Sequence, residues 1–316
     1  MGYLGIDVGN GFIKAVILEN DKVVAYQNLP NEGAITTLNK IFSHFKDLKI
    51  KINGVGVCGA GRYLVAKLIG ADVVKTEILA QSVGVLHFYP NTRFVIELGH
   101  EDSKMLEIYN GVLIDFTMNS LCSGGCGSYL LNVAYRFNIP IEKFSEIAFK
   151  SKNPCAISHK CAIFGTSAAL SKFHHGFPIE DIIAGVIYAL ARNYLAMLTK
   201  GKKLTPPVVF SGGLSRIECL KKAFEDILNC KIITHPLGVY FGAIGMALLA
   251  KDCNKTSSFK GFEIFNKNLK TKIFYCSDCC EHCEITKILE DNNKVIGFLG
   301  SRCGKYELNI HHEPIV

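Results

Sequence analysis

LGIDVGNGFIKAVILENDKVVAY, residues 4–26, is repeated in outline by FVIELGHEDSKMLEIYNGVLIDF, residues 94–116. At a constant offset, the two copies align Asp7 with Glu97, Gly9 with Gly99, Lys14 with Lys104 and Asn20 with Asn110. Each copy reads as three strands joined by a glycine-containing turn and then an asparagine-containing turn. Because the turns are short and the strands are rich in Val and Ile, each copy predicts a three-stranded antiparallel meander.

The segments after each meander extend the repeat. Helix-like sequence follows at 34–47 and at 127–137, and a further strand follows the first copy at 53–57. A duplicated unit of strands and crossover elements predicts two similar α/β domains that face each other across a cleft. We place the first domain at 1–90 and the second at 91–250.

Three later segments fit the second domain. Residues 180–200 have apolar residues at helical spacing, and residues 206–228 read as a buried strand, a Gly-Gly turn and a helix. Residues 238–250 read as a helix rich in small residues, which permit close approach of backbone or ligand.

The duplicated turns carry the groups that a phosphate ligand needs. Backbone N–H groups in a glycine-containing turn can point at phosphate oxygens without a side chain in the way. Asp7 and Glu97 are then placed to hold Mg²⁺, directly or through water. The Gly212–Gly213 turn would bring its backbone against a flat ligand such as a nucleoside. Together the two turns and the strand–Gly-Gly–helix segment predict a nucleotide site.

Composition narrows the class of protein. The 316 residues are 49% hydrophobic and 20% charged, and the net charge of +7 comes from scattered lysines, which favours a solvated surface over a nucleic-acid-binding face. No apolar run reaches the roughly 18 residues needed to span a bilayer, and the N-terminus opens a strand, so we expect a cytoplasmic protein that binds no membrane. Thirteen cysteines in a reducing compartment favour metal or redox chemistry.

The order of the motifs resembles one family within the actin-like, ribonuclease H-like ATPase fold that hexokinase shares. Residues 3–250 are similar to the activators (component A) of 2-hydroxyacyl-CoA dehydratases and the ATPase subunits of benzoyl-CoA reductase, the BadF/BadG/BcrA/BcrD family. The matching stretches are LGIDVGNGFIKAVIL, GVCGAGR, TEILAQ, ELGHEDSK, MNSLCSGGCGSYL, KSKNPCAISHKCAIFGTSAAL, VVFSGGL and GAIGMALLA. The resemblance implies an ATPase that binds ATP or ADP with Mg²⁺. The candidate nucleotide-binding residues are Gly9, Asn10, Gly11, Lys14, Gly99, His100, Asp102, Lys104, Gly125, Gly212, Gly213 and Gly242, and the candidate catalytic residues are Asp7, Glu97 and Glu101.

The same resemblance assigns a role to two cysteines. In the family, each subunit contributes two cysteines to one [4Fe–4S] cluster at a homodimer interface, and the pattern places them at Cys122 and Cys161. A cubane needs four thiolates, which two per chain supply across a two-fold axis. The implied function is transfer of one low-potential electron, driven by ATP hydrolysis, from ferredoxin or flavodoxin to a dehydratase-like or double-cubane iron–sulfur protein. The roles of Cys126 and Cys155 stay open, with packing favoured for Cys126.

The second turn departs from the family pattern. The family usually has aspartate where Glu97 stands, glycine at His100 and glutamine at Glu101, and the glutamates that commonly follow Cys161 are absent from FGTSAAL. Glu97 can still hold Mg²⁺ through water, and Glu101 could orient or deprotonate the attacking water. His100 adds bulk beside a phosphate. Slow hydrolysis and a partner other than a dehydratase therefore stay open.

Two alternative functions fit the fold. A small-molecule kinase would need a general base, for which Asp102 or Asp115 is available, but it leaves the paired cysteine motifs unexplained. A nucleotide or redox sensor that does not hydrolyse ATP is consistent with the departures in the second turn.

The end of the chain is a separate unit in the sequence. Residues 251–272 read as a linker, and residues 273–316 form a cysteine-rich tail in which EITKILE and VIGFLG predict a hairpin. Cys276, Cys279, Cys280, Cys283 and Cys303 have the spacing of a metal site, and His282 or His311 could complete a zinc site. Similar tails in longer relatives imply Cys276, Cys279, Cys283 and Cys303 as ligands, with Cys280 extra. Structural zinc is favoured slightly over an electron-relay iron–sulfur cluster.

Overall fold

The computed structural model describes residues 1–119, 126–158, 161–253, 255–266, 269–277, 279–290, 294–303 and 306. The chain divides into two compact units, of which the first comprises 1–75 with 246–316 and the second comprises 76–245. Each unit has its own five-stranded sheet and its own buried core. The sequence boundaries at 90 and 250 differ from these divisions, because residues 76–90 lie in the second unit and the chain returns to the first unit from residue 246.

The first unit is built on a sheet with strand order β3-β2-β1-β4-β5. Its elements are β1 (Gly2–Val8), β2 (Phe12–Glu19), β3 (Lys22–Pro30), α1 (Ala34–Lys46), β4 (Ile52–Gly59), α2 (Arg62–Ile69) and β5 (Val73–Val74). The first three strands are antiparallel, and β4 and β5 continue the sheet in parallel. The edge strand β3 alternates exposed and half-buried residues, whereas the central β1 is mostly buried, as its apolar sequence requires.

The second unit repeats this arrangement with strand order β10-β9-β6-β7-β8. Its elements are α3 (Glu77–Phe88), β6 (Phe94–Leu98), β7 (Ser103–Tyr109), β8 (Val112–Met118), α4 (Gly127–Phe137), α5 (Phe144–Ala148), α6 (Ala162–His174), α7 (Ile179–Leu198), β9 (Val208–Ser211), α8 (Glu218–Leu228), β10 (Ile232–Ile233) and the start of α9 (Phe241–Asp252). Strands β6 to β8 are antiparallel, and β9 and β10 are parallel to β6. The predicted α/β fold with a duplicated actin-like unit is confirmed.

The duplication extends to single residues. Asp7 lies opposite Lys14 across β1 and β2, and Glu97 lies opposite Lys104 across β6 and β7. Asn20 and Asn110 both have φ of 49°, and the residue after each also has positive φ. Two consecutive residues with positive φ are typical of the two-residue hairpin turns that match strand twist, and asparagine tolerates this conformation well.

Helix α7 lies in the core of the second unit. By length and composition alone it could cross a membrane, but most of its length is buried inside the chain. Ile183, Leu190 and Tyr194 on this helix are fully buried among the side chains of neighbouring elements. Its apolar character is therefore explained by packing within the unit.

The last part of the chain packs on the first unit. Three strands, β11 (Lys270–Tyr275), β12 (Glu284–Glu290) and β13 (Lys294–Leu299), form an antiparallel sheet that contains the predicted hairpin. The preceding segment, predicted as a linker, is packed: the rings of Phe259, Phe262 and Phe265 lie within 6.0 Å of the Phe42 ring on α1. Strand β11 itself begins inside the residues predicted as linker.

Candidate nucleotide-binding turns and cysteine sites

In the first unit, an acidic residue and a lysine pair at the start of the first turn. Asp7 lies near the carboxyl end of β1, and its Oδ2 is 3.0 Å from the Lys14 Nζ on β2. The other carboxylate oxygen, Oδ1, is buried and has no hydrogen-bond partner among the described residues. A buried carboxylate oxygen without a partner is costly unless a cation or water binds it. Asp7 thus has one oxygen held by lysine and one available for a ligand.

The first turn is closed by backbone hydrogen bonds. The Gly9 N–H donates to the Phe12 carbonyl over 3.1 Å, and a Cβ atom on Gly9 would lie 2.9 Å from that same oxygen. Asn31 holds the turn from outside, since its Nδ2 donates to the Gly9 carbonyl and its backbone N–H donates to the Gly11 carbonyl. Asn10 is exposed at the tip. The turn therefore has the glycine geometry that a close phosphate contact requires.

A second loop of the first unit adjoins this turn, and the sequence analysis named no candidate site residue in it. The Gly61 N–H donates to the Val8 carbonyl, and the Arg62 guanidinium donates to the Gly59 carbonyl. Gly59 has φ of +95°, and a Cβ atom there would lie 2.4 Å from the Val8 oxygen. The loop before α2 is thus fitted against the end of β1, one residue from Asp7.

In the second unit, the corresponding lysine is shared by two carboxylates. The Lys104 Nζ lies 3.3 Å from Glu97 Oε2 and 2.8 Å from Glu77 Oε2. The Lys104 side chain is 5% exposed, and its backbone carbonyl accepts the Tyr194 hydroxyl over 2.7 Å. Burial, the largest single influence, acts to lower the pKa of Lys104, but the charges of Glu97 and Glu77 together outweigh it and leave the pKa raised. Lys104 is therefore held as a cation between two acids.

The second turn is closed as the first is. The Gly99 N–H donates to the Asp102 carbonyl over 2.8 Å, and a Cβ atom on Gly99 would lie 2.9 Å from that oxygen. The first N–H groups of α4 are directed at the same turn, since Gly127 donates to the Gly99 carbonyl and Ser128 to the His100 carbonyl. Glu101 is exposed, and its carbonyl accepts the Asn119 amide. Gly125 lies outside the described residues.

The predicted Gly-Gly turn lies against Glu97. Gly212 has φ of +84°, and a Cβ atom there would lie 2.3 Å from the Leu98 carbonyl oxygen and 2.8 Å from Glu97 Oε1. Only glycine fits such a position. Gly213 faces open space, as a ligand-facing glycine would, and Gly242 is buried in α9. The structure brings Gly212 together with Glu97 and Lys104.

Glu77 is the member of this group that the sequence analysis missed. It is the first residue of α3, where Thr76 is the N-cap and accepts a weak hydrogen bond from the Leu79 N–H. A glutamate in the first turn of a helix is commonly explained by the helix dipole alone. Helix propensity and capping cannot distinguish a glutamate that only favours the helix dipole from one that also pairs with a lysine. The one signal for the second role was the match of TEILAQ to the family pattern.

Two cysteines of the second unit stand at the start of helices. Cys161 is half-buried and is the N-cap residue of α6, and Cys126 is fully buried and is the N-cap residue of α4. Burial raises the pKa of the Cys126 thiol, whose sulfur lies 3.1 Å from the Ser128 hydroxyl. Cys122 lies outside the described residues. These positions favour packing for Cys126 and leave Cys161 open to a ligand.

The tail cysteines converge. Ligand atoms of Cys276, Cys279 and Cys303 lie within 4.8 Å of one another, and the Cys283 sulfur lies 3.8 Å from the Cys279 sulfur. Cys280 is exposed. The four predicted ligands are thus close together, and none of the cysteines that the structure describes forms a disulfide.

Comparison with known proteins fixes the family. Residues 4–250 match the BadF/BadG/BcrA/BcrD ATPase family. The chain belongs to this family. Its tail, from 251 onwards, lies outside the matched residues. The two glycine-containing turns, the Gly-Gly segment and Cys161 all lie inside the matched residues.

Characterised relatives are similar over nearly their whole length. The (R)-2-hydroxyglutaryl-CoA dehydratase activating ATPase of Acidaminococcus fermentans is 30% identical over 78% of this chain and 96% of its own. The 2-hydroxyisocaproyl-CoA dehydratase activator of Clostridioides difficile is 30% identical over 80% of this chain and 96% of its own. A solved structure of an activator of the 2-hydroxyisocaproyl-CoA dehydratase from Clostridium difficile, with bound ADPNP, superposes with a TM-score of 0.74 at 30% identity, covering 80% of this chain and 95% of that one.

Replacing Lys104 with methionine should destabilise the second unit. Methionine has a similar length but no charge, so Glu97 and Glu77 would be left beside each other without a cation. Removing one partner of a buried ion group costs about 3 kcal/mol or more of unfolding free energy. Calorimetry should show a lower unfolding temperature.

The matched control is Lys202→Met. Lys202 pairs with Glu107 and Asp115 on the same sheet, but its side chain is 37% exposed. An exposed pair contributes at most about 1 kcal/mol. Equal effects of the two substitutions would contradict the buried role of Lys104.

Proposed function

We propose that this protein is an ATP-dependent reductive activator. It hydrolyses ATP and passes one low-potential electron from a ferredoxin or flavodoxin to a dehydratase-like or double-cubane iron–sulfur protein, in the cytoplasm. Membership of the BadF/BadG/BcrA/BcrD family and the names of the relatives support an ATPase of the activator class. The observation that carries the proposal is the surface around Cys161.

That surface is apolar where a solvent-facing helix start is normally polar. Cys161 precedes Ile163 and Phe164, two residues that are 77% and 69% exposed. Helix α4, which contacts α6, exposes Leu131 and Tyr135 as well. Exposed apolar side chains beside a half-buried thiol favour a contact with a second protein chain. In our proposal a second copy covers this surface and brings its own Cys161 to the first.

The cysteine chemistry fits an iron–sulfur cluster. Cys161 and Cys122 of each copy would supply four thiolates to one [4Fe–4S] cluster in the homodimer, and thiolate is the ligand type that such clusters require. When bound, the cluster supplies one-electron transfer at low potential. Cys161 serves by holding its thiolate at the start of α6, where the first N–H groups of the helix favour negative charge.

The first turn fits Mg²⁺ and phosphate. The buried Asp7 Oδ1 without a partner is a hard oxygen ligand of the kind Mg²⁺ prefers. Lys14 fixes the other carboxylate oxygen and adds positive charge beside the turn. When bound, Mg²⁺ neutralises charge on the phosphates. The glycine N–H groups of the turn would orient the phosphates, and Asp7 would hold the metal.

The second turn supplies the groups for hydrolysis. Glu97 lies near the end of β6 and Lys104 near the start of β7, and Glu101 is exposed at the tip of the turn between these strands. Glu101 would accept a proton from the attacking water as that water adds to the γ-phosphate, releasing ADP and phosphate. Glu97 would bind Mg²⁺ through water, and Gly212 would place its backbone beside the nucleoside.

One anaerobic experiment tests the whole proposal. The purified protein is assayed for iron, sulfide, molecular mass and ATP-dependent reduction of a low-potential acceptor protein. We expect a dimer with about two cluster irons per chain, and acceptor reduction only with hydrolysable ATP. ATP binding without hydrolysis would favour the sensor, and phosphate transfer to a sugar without a cluster would favour the kinase. Either result would overturn the activator.

A further inference from the structure

The tail brings four cysteine sulfurs onto two adjoining turns. The first turn joins β11 to β12 and carries Cys276, Cys279 and Cys283, and it is closed by the Cys276 N–H donating to the Cys283 carbonyl over 2.8 Å. The second follows β13, where Gly300 has φ of +88°, and carries Cys303. A Cβ atom on Gly300 would lie 2.2 Å from the Glu284 carbonyl oxygen. The backbone thus fixes both turns beside each other.

We infer that Cys276, Cys279, Cys283 and Cys303 bind a single zinc ion. This ion holds the sheet formed by β11, β12 and β13 against helix α2. Four sulfurs at about 2.3 Å from one tetrahedral zinc lie roughly 3.8 Å apart. The Cys279 and Cys283 sulfurs are separated by 3.8 Å, and the sulfurs of Cys276, Cys279 and Cys303 lie within 4.8 Å of one another. In a cubane each thiolate binds a different iron, which holds the sulfurs farther apart.

The small sheet needs such an ion. Its own core consists of Ile285 and the aromatic rings of Phe274, Phe298 and Tyr306, which contact one another beside the buried Cys276 and Cys283. So few apolar side chains supply little of the free energy that holds three short strands together. A metal bound by four thiolates supplies it, because the binding free energy becomes folding free energy.

The opposite side of β13 is fitted to α2. The Lys67 Nζ donates to the Phe298 carbonyl over 2.9 Å, and a Cβ atom on Gly297 would lie 2.6 Å from Lys67 Cε. Ile288 joins the first unit's core, and Ile296 and Leu299 pack against it. Strand β13 therefore packs on α2, whose N-terminal loop lies against the end of β1.

The chain between α9 and β11 closes the other end of α2. The Lys260 Nζ donates to the carbonyls of Lys67 and Leu68, and the Lys260 N–H donates to the Ile69 carbonyl. A lysine at a helix C-terminus satisfies carbonyls that otherwise lack partners. Ser258 binds Asp72 by its N–H and hydroxyl groups. The tail and the segment before it thus enclose α2 together, and the zinc ion stabilises that arrangement.

Metal analysis with hydrogen exchange tests the inference on the full chain. We expect about one zinc per chain in the wild type, and at least about tenfold less in Cys283→Ser. Amide exchange across α2 should rise in the same variant. Cys280→Ser, a change in the same turn at an exposed thiol, should keep the zinc and the slow exchange. A Cys280→Ser protein that loses zinc, or a Cys283→Ser protein that keeps it, would overturn the assignment.

A second experiment separates this site from the proposed activator cluster. It leaves the tail cysteines in place, so it does not depend on the folding of Cys283→Ser. In Cys161→Ser protein, the zinc should remain while the cluster iron is lost. Titration of that protein with an organomercurial should release the zinc, with a matching rise in α2 exchange. Iron and sulfide bound to the tail in place of zinc would contradict the mononuclear site, and zinc release without a change at α2 would contradict the fastening role.

Discussion

Cys161→Ser is expected to remove the cluster iron almost completely, from about two irons per chain to near zero. Serine keeps the size of the side chain and the start of α6, but a hydroxyl is a poor ligand for iron compared with a thiolate. With two ligands missing from the dimer, the remaining two cannot hold a cubane. Iron and sulfide analysis with electron paramagnetic resonance of the reduced protein measures the loss. ATP-dependent acceptor reduction should disappear with it.

Cys230→Ser is the matched control. Cys230 is a half-buried thiol of the same unit, and it lies between α8 and β10. It is not one of the cysteines that we propose as cluster ligands, so its substitution should leave iron and electron transfer unchanged. ATP hydrolysis should survive in both variants, since the nucleotide turns are intact. A Cys161→Ser protein with full iron content would show that other cysteines hold the cluster.

The fold was predictable because the residues that repeat between the two copies are ones that the backbone conformation requires. Asn20 and Asn110 occupy positive φ, and Gly9 and Gly99 each meet a carbonyl oxygen within 2.9 Å where a Cβ atom would be. Such positions tolerate few residue types, so their recurrence at one offset indicates a repeated backbone. The boundaries of the units were less predictable, because they depend on which surface a distant segment covers.

Segment 251–272 shows this difference. Its polar composition predicted a linker, yet its three phenylalanines pack against Phe42, and its lysine closes the end of α2. Propensity and charge pattern describe local structure, and neither reveals contacts with α1 and α2, about two hundred residues earlier in the chain. Only the spacing of Phe259, Phe262 and Phe265 at helix-like intervals could have suggested a buried side.

The site was predictable in part for the same reason. The Asp7–Lys14 and Glu97–Lys104 pairs follow from register, since residues seven apart on either side of a short turn face each other. Glu77 enters from a helix that precedes the second meander, and no local spacing links it to Lys104. A side chain contributed by another element requires the packed structure to be found.

Asp7→Asn should lower the rate of ATP hydrolysis by about 100-fold or more, because it removes the negative charge that would hold Mg²⁺ at the first turn. Asparagine keeps the shape and can still accept one hydrogen bond from Lys14. The unpartnered Oδ1 position of Asp7 becomes an amide group that binds a divalent cation weakly. Hydrolysis is measured as phosphate release across a range of Mg²⁺ concentrations, where the apparent affinity for Mg²⁺ should fall.

The matched control for this last change is Asp21→Asn in the same unit. Asp21 pairs with Lys251 at the surface, and its side chain is 46% exposed, so its neutralisation should leave hydrolysis within about twofold. Asp7→Asn should also retain nucleotide binding without Mg²⁺, since the glycine N–H groups of the turn are unchanged. Loss of hydrolysis with an unchanged dependence on Mg²⁺ would contradict a metal-holding role for Asp7. A shared effect of both substitutions would instead indicate that charge anywhere on the first unit affects turnover, which the buried position of the Asp7 carboxylate opposes.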